Sequence, residues 1–304
     1  MRKRFRSGAW WKRTRDLSVI VYNELFRTRA FTMAAAMSYY FLLAMVPLLI
    51  FFSATVGYLP IPNLFNQLLD NLAVLIPPQA MHMVQRILGS LLAPHRGGWV
   101  SFGLLGYLWT ATGGFTALIE ALNVAYDVEK TRSWWSDRVR ALLMTFTTGL
   151  LTFIGLLVVI AGPHFGHLLT KLLLVPPELG RMWPLLRLGA ILVTFTAVVE
   201  LQYYLGPNRK QRFLETLPGA VAAMIGIFLS SAGMAYYFGH LSNYNKTYGP
   251  MAAVIILMVW FYVVSLLFVA GAELNAELMK QRSTSRRAIL PSEMAAKANG
   301  VSAA

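Results

Sequence analysis

Six long apolar runs, separated by gaps that are alternately basic and nearly uncharged, leave this 304-residue chain one kind of fold. The runs extend from Phe31 to Tyr58, Trp99 to Tyr126, Ala141 to Gly162, Trp183 to Leu205, Leu217 to Phe238 and Pro250 to Ala272. Each is near or above the ~20 residues that carry a helix across a bilayer. A segment in lipid must satisfy its backbone polar groups internally, so runs of this length read as helices. The expected fold is an all-α integral membrane protein, a six-transmembrane helix bundle.

Charge sets the expected orientation. Residues 1 to 30, 127 to 140, 206 to 216 and those after 273 hold 21 of the 27 Lys and Arg, whereas the other gaps hold five. By the positive-inside rule both termini are cytoplasmic, which an even number of spans requires. Lys and Arg at an anionic lipid surface account for the net charge of +14, and no nucleic acid is needed to explain it. Cysteine is absent, which excludes disulfides, thiolate chemistry and cysteine metal sites. The basic start is too long, and the first apolar run too long and too late, for a cleaved signal, so Phe31 to Tyr58 is expected to stay as a signal anchor.

The domain plan follows. Residues 1 to 30 form a basic cytoplasmic helix, with Leu17, Ile20, Val21 and Leu25 at helical spacing against Lys12, Arg13, Arg15 and Asp16. Such a helix lies flat on the leaflet, with Trp10 and Trp11 at headgroup depth. Residues 31 to 280 are the spanning domain. Within it, external segment 60 to 97 carries two apolar stripes, on Leu64, Phe65, Leu68, Leu69 and Leu72 and on Val84, Ile87, Leu88, Leu91 and Leu92, broken by Pro77 and Pro78. That pattern predicts a helical hairpin, packed on the outer mouth or partly re-entrant. Residues 281 to 304 have no apolar period and are expected to be a disordered cytoplasmic tail.

Small residues mark where helices meet: Ala34, Ala35, Ala36 and Ser38, then Gly103, Gly106, Gly113 and Gly114, then Gly219, Ala222, Ala223 and Gly226. Gly113-Gly114 also weakens its helix and is open to a kink or local unwinding, and Pro47 frees the carbonyl of Leu43. Interrupted helices of this kind line the path in many transporters, although packing alone also explains them.

Ionisable residues in or beside the membrane are costly unless paired or wet. Glu120, Asn123 and Asp127 share one face of the second span, Glu200 and Gln202 end the fourth, and Glu273 and Glu277 stand at i and i+4 at the end of the sixth. All fall near cytoplasmic helix C-termini, where the macrodipole disfavours anions. The available counter-charge is the basic set Arg27, Arg29, Arg132, Arg138, Arg140, Arg209, Lys210 and Arg212. Two readings stay open: a ring of salt bridges that locks helix ends, or a wet vestibule that binds a charged headgroup or carries protons.

Several stretches carry a family resemblance. Ala34-Ala-Ala-Met-Ser-Tyr-Tyr-Phe with Pro47, Leu108-Trp-Thr-Ala-Thr-Gly-Gly through Glu120 to Asn123-Val-Ala-Tyr-Asp127, Tyr203-Tyr-Leu-Gly-Pro-Asn208, Tyr244-Asn-Lys-Thr-Tyr-Gly-Pro250 and Ala270-Gly-Ala-Glu-Leu-Asn-Ala-Glu277 resemble the YihY/virulence factor BrkB family. The resemblance covers roughly Arg27 to Glu277. It implies a bacterial inner-membrane protein, in a family once labelled ribonuclease BN-like and elsewhere associated with serum resistance or export of lipid-like envelope precursors. It carries over no catalytic residues.

The residues argue against nuclease chemistry, which wants a positioned acid and base facing cytoplasmic RNA. All five histidines, His82, His95, His164, His167 and His240, fall in the external gaps. His164 and His167 at i and i+3 offer at most an external metal pair, and no metal or cofactor is expected. No Walker A loop or nucleophile elbow is present, so the chain is read as a non-enzyme that cannot drive transport with ATP itself. Lys246 and Tyr248, in the external motif before the sixth span, could gate the outer mouth; an aromatic belt with Pro250 at the first helical position is the plainer account.

The resulting expectation is a transporter or flippase-like exporter of an anionic lipid or envelope precursor. Its vestibule would use Glu120, Asn123, Asp127, Glu200, Glu273, Glu277, Arg138, Arg209 and Lys210, with gating at Pro47, Gly113, Gly114, Lys246 and Tyr248. The alternative is a non-transporting scaffold or regulator of envelope integrity. Expected partners are membrane lipids, a second copy of the chain or other envelope proteins.

Overall fold

A long apolar run forms helix because nothing else satisfies its backbone, and the structure follows the runs closely. The computed structural model describes residues 7–56, 81, 85, 98–128, 133–152, 177–240 and 250–300. Among the described residues the protein is helical throughout: α1 Ser7–Arg27, α2 Ala30–Val56, α3 Gly98–Ala125, α4 over 134–152, α5 Pro177–Leu205, α6 Phe213–His240 and α7 Pro250–Gly300. Three of these carry stretches long and apolar enough to cross a membrane, Ala30–Leu49, Phe213–Phe238 and Met251–Arg282, and Gly189–Leu205 is a shorter apolar stretch. The hairpin expected over 60–97, Lys246, Tyr248 and four of the five histidines (His82, His95, His164 and His167) lie outside the described residues.

The segment read as a flat amphipathic helix is α1. It leaves Val19, Tyr22 and Phe26 exposed and turns into α2 through Thr28 and Arg29. Arg29 sits in the left-handed region at φ 54°, a conformation that costs a non-glycine residue about 1 kcal/mol or more. At the other terminus α7 continues to Gly300, across the stretch after Gln281 that lacks an apolar period.

α2 and α3 share the longest interface, α7 packs on α6 and α2, α5 lies against α6, and α1 rests on α7 and α2. The core gathers Met37, Phe115, Ile119, Leu122, Tyr203, Val269 and Ala272, toward the end of the bundle where the basic segments also emerge. Hydroxyls along the helices return to their own backbone, as Thr116 to Thr112, Thr145 to Ala141 and Thr196 to Leu192 do, which keeps them satisfied without a partner helix.

Glycine earns its place on α3 by admitting rings. A Cβ on Gly113 would lie 2.7 Å from the Tyr40 ring, and one on Gly114 would lie 2.9 Å from the Phe41 ring. Gly106 faces Pro47 in the same way, at 3.2 Å. α3 is helical through Gly113-Gly114, so close packing rather than local unwinding is what this pair provides.

Candidate functional site

At the end of the bundle where the core lies, polar side chains enter it. Pro218, in the first turns of α6, has no N–H to give, and the helix start leaves other donors unmatched. Asn275 of α7 binds the backbone on either side of this proline from across the interface. Its Nδ2 donates to the Thr216 carbonyl at 2.7 Å, and its Oδ1 accepts from the Gly219 N–H at 2.7 Å. Asn275 can reach because the helices touch backbone to backbone: a Cβ on Gly219 would strike the Gly271 carbonyl, and one on Gly271 would lie 2.6 Å from the Gly219 carbonyl. Glu215 closes the helix start by accepting from the Arg212 N–H at 3.3 Å, half of a capping box.

α5 joins the same junction. Glu200, 1% exposed, has Oε1 2.5 Å from the Thr216 hydroxyl, and its Oε2 has no partner. One turn on, the Tyr203 hydroxyl donates to the Phe268 carbonyl at 2.6 Å while its ring packs edge-on against Phe268. Gln211 donates to the Tyr203 carbonyl at 2.5 Å, and Gln202 donates to Thr148 of α4. Glu273, 3% exposed, has an unpartnered Oε1, and the Tyr126 hydroxyl at the end of α3 is buried beside Asn275.

A second arrangement lies at the surface. Asp127 is the left-handed residue, φ 50°, that ends α3: the Val128 N–H reaches the Asn123 carbonyl at 2.9 Å and the Asp127 N–H reaches Val124 at 3.1 Å. This is a Schellman cap, a position usually taken by Gly. The carboxylate explains the exception, because it accepts from Lys280 at 2.7 Å and Arg27 at 2.8 Å, tying α7 and α1 to the end of α3. The hydrogen bonds from Lys280 and then Arg27 hold the Asp127 carboxyl below its ordinary range, and Asp127 and Glu24 raise the Arg27 guanidinium.

The residues expected to line one vestibule therefore divide. Asn123 is buried and accepts from the Asn208 N–H at 2.7 Å, fixing the α5–α6 turn. Glu200 and Glu273 are buried, Asp127 is at the surface, and Glu120 is exposed on α3. Glu277 accepts from Gln281 at 3.0 Å. Arg138 lies over the exposed Trp109 ring at 5.9 Å, Arg209 lies over Tyr126 at 6.0 Å, and Lys210 is exposed. Arg140 donates to the Leu205 carbonyl at 3.4 Å. The basic segments before α2, after α3 and before α6 thus meet at one end with the far part of α7.

These contacts fall on the stretches that carried the family resemblance: Asn123 to Asp127, Tyr203 to Asn208 and Ala270 to Glu277. The family model described as virulence factor BrkB matches residues 21–296. The chain belongs to the BrkB family. This BrkB-family chain is 32% identical over 249 residues to a Bacillus subtilis (strain 168) protein named ribonuclease-like protein YfkH, covering 82% of the chain and 90% of that relative. It is 27% identical over 253 residues to a UPF0761 membrane protein of Photobacterium profundum, covering 82% and 76%. A UPF0761 membrane protein of Tolumonas auensis is 26% identical over 270 residues, covering 88% and 86%. No solved structure matches. The BrkB-family chain is a membrane protein.

Reading the sequence for charge missed the residues that build the junction. Asn275, Thr216 and Tyr203 carry no charge and sit within apolar runs or motifs. The available signal was an Asn in a helix of small residues, because a polar side chain inside an apolar run needs partners and small residues let a facing backbone come close enough to supply them.

Proposed function

We propose that this protein is a six-span inner-membrane transporter of flippase type, with both termini cytoplasmic, that moves an anionic lipid or envelope precursor. One observation carries the reading: among the described residues, Arg138, Arg209 and Lys210 have no carboxylate within ion-pair distance, although Asp127, Glu200 and Glu273 lie at the same end. The ion pairs are made by Arg15, Arg27 and Lys280 instead. Cations left unneutralised at the rim of a helix bundle suit a phosphate or carboxylate headgroup, and the Trp109 and Tyr126 rings beneath two of them add an apolar footing for an amphipathic ligand. In this reading Glu120, exposed on α3, lines the approach, and Pro47 with Gly113-Gly114 is where α2 and α3 move.

The ribonuclease-like name of one relative suits this chain less well. Glu200 and Glu273 are enclosed by helices, where no polynucleotide reaches them, and among the described residues no three His, Cys, Asp or Glu side chains gather to hold a metal. The scaffold reading draws on the tight Gly219–Gly271 crossing, which closes the bundle at this end.

The test is transbilayer movement of labelled anionic and zwitterionic lipids in liposomes that hold the purified protein. Wild type should speed the anionic lipids, and Arg209→Gln with Lys210→Gln should slow them at least several-fold while leaving the protein folded. Equal rates with wild type, the variant and empty liposomes would leave the scaffold.

A further inference from the structure

Two glutamates are buried in this protein without a counter-charge. Among the described residues Asp16, Glu24 and Asp127 lie within ion-pair distance of Arg or Lys, whereas Glu200 and Glu273 are buried with no cation at that distance; Asp137 is buried and unpaired too, but it lies in the first turn of α4, where the helix dipole favours an anion. Each glutamate also keeps one oxygen unpartnered, Oε2 of Glu200 and Oε1 of Glu273. A buried carboxylate without a counter-charge is strongly disfavoured, and Glu200 lies in the last two turns of α5, where the helix dipole opposes an anion as well.

Hydrogen counting points the same way. The Thr216 Oγ1 lies 2.5 Å from Glu200 Oε1 and 2.9 Å from the Phe213 carbonyl. A hydroxyl owns one hydrogen and a carbonyl owns none, so both contacts are satisfied together only when the Glu200 carboxyl brings a hydrogen of its own. Beside these groups stands the Tyr126 hydroxyl, buried next to the Asn275 side chain, with Arg209 over its ring, and within electrostatic reach of both carboxyls. Facing Glu200 are Tyr203 of its own helix, Tyr126 from the end of α3 and Thr216 of α6. Facing Glu273 are Glu24 and Arg27 of α1, Thr28, and Asp127 and Tyr126 from the end of α3; that Arg27 is already held by Glu24 and Asp127.

We propose that Glu200 at the α5–α6 contact and Glu273 of α7 beside α1, with the Tyr126 hydroxyl in reach of both, form a closed pair of proton-binding groups. Each carboxylate takes one proton from hydronium to give a carboxylic acid and water, and releases it by the reverse step. The site is wired to the packing. Protonated Glu200 holds Thr216 in the first turn of α6, and Asn275 of α7 holds the carbonyl of that same Thr216. Ionised Glu200 needs water, which reaches it only if α5 parts from α6. Proton release therefore favours an opened junction and proton uptake the closed one. The use of the site, coupling a proton to lipid movement, rests on the transport reading; its existence does not.

The experiment is infrared spectroscopy of the full chain in lipid bilayers, reading the carbonyl stretch of protonated carboxylic acids at neutral pH, with its shift in heavy water as the signature. A band present in wild type and lost in Glu200→Gln or Glu273→Gln, each checked for folding by its melting temperature, is the expected result. Thr216→Val should shift the Glu200 band without removing it, which a merely structural role for Thr216 would not do. Exchange of choline for sodium should leave the band unchanged. A band absent from wild type, or unaltered by both Gln variants, would overturn the proposal, and a band abolished by sodium would reassign the site to a metal cation. None of these readings depends on lipid movement, so a protein that moves no lipid can still pass them.

Discussion

Two helix pairs in this protein meet through glycine, and they use it for opposite purposes. Where α3 meets α2, Gly113 and Gly114 make room for the Tyr40 and Phe41 rings, so the space left by the missing Cβ is filled mainly by the far ends of side chains, with the Tyr40 Cβ, 3.3 Å away, the fixed neighbour of Gly114. Where α6 meets α7, Gly219 and Gly271 face each other's backbone carbonyls, and no rotamer can make way. The first contact is apolar and soft. The second is rigid and brings a polar residue, Asn275, close enough to hydrogen-bond the α6 backbone on either side of Pro218. In lipid the hydrophobic effect does not drive helices together, so close packing and interhelical hydrogen bonds must do so. The α6–α7 contact uses both, and the α2–α3 contact relies on packing.

The comparison breaks first at Gly219. Gly219→Ala sets a methyl group against the Gly271 carbonyl and the Asn275 side chain, all of which are fixed. The expected loss is about 3 kcal/mol, at the upper end of overpacking, read as loss of folded protein in detergent or bilayers. Asn275→Leu comes next. It leaves the Gly219 N–H and the Thr216 carbonyl without their partner in a buried place, for an expected loss of about 2 kcal/mol in the same assay. If both variants fold like wild type, the rigid contact is not what holds α6 to α7.

Gly114→Ala sharpens the contrast from the other side. The Phe41 ring can turn by a few tenths of an ångström, and alanine favours a helix over glycine by about 1 kcal/mol, so the two effects nearly cancel. The melting temperature should change little. A collapse as large as that of Gly219→Ala would mean that the α2–α3 interface is as rigid as the α6–α7 one.

The same contrast explains what could be read from the sequence. Helices α2, α3, α5 and α6 begin and end within about six residues of the apolar runs, because hydropathy is a property of each segment by itself and the bilayer imposes it. Partners are not such a property. Asp127, Glu200 and Glu273 look alike in sequence, each an acid at the end of an apolar run, yet Asp127 meets two cations at the surface and the glutamates meet none inside. Which fate befalls an acid depends on how helices 70 to 150 residues apart turn their faces, and periodicity within one helix carries no such information. Asn275 stands in the same motif as Glu273 and Glu277, and it makes more of the junction than they do.

The smallest effect is expected at Asp127, and it tests whether the surface acid differs in kind from the buried ones. Asn tolerates the left-handed conformation that Asp127 adopts, so Asp127→Asn keeps the cap of α3 and removes only the charge that Lys280 and Arg27 share. Those pairs are exposed, which limits the loss to about 1 kcal/mol at neutral pH, and salt should reduce it further. Its pH dependence has a definite sign. The carboxyl is held below its ordinary range, so its contribution is present above the unfolded value near about pH 4 and disappears as pH falls through the lower folded value. The gap in melting temperature between wild type and Asp127→Asn should therefore close in acid and be flat from about pH 5 upward. A gap that instead widened in acid would mean that Asp127 is better protonated, as the buried glutamates are proposed to be, and would erase the distinction between the two kinds of acid.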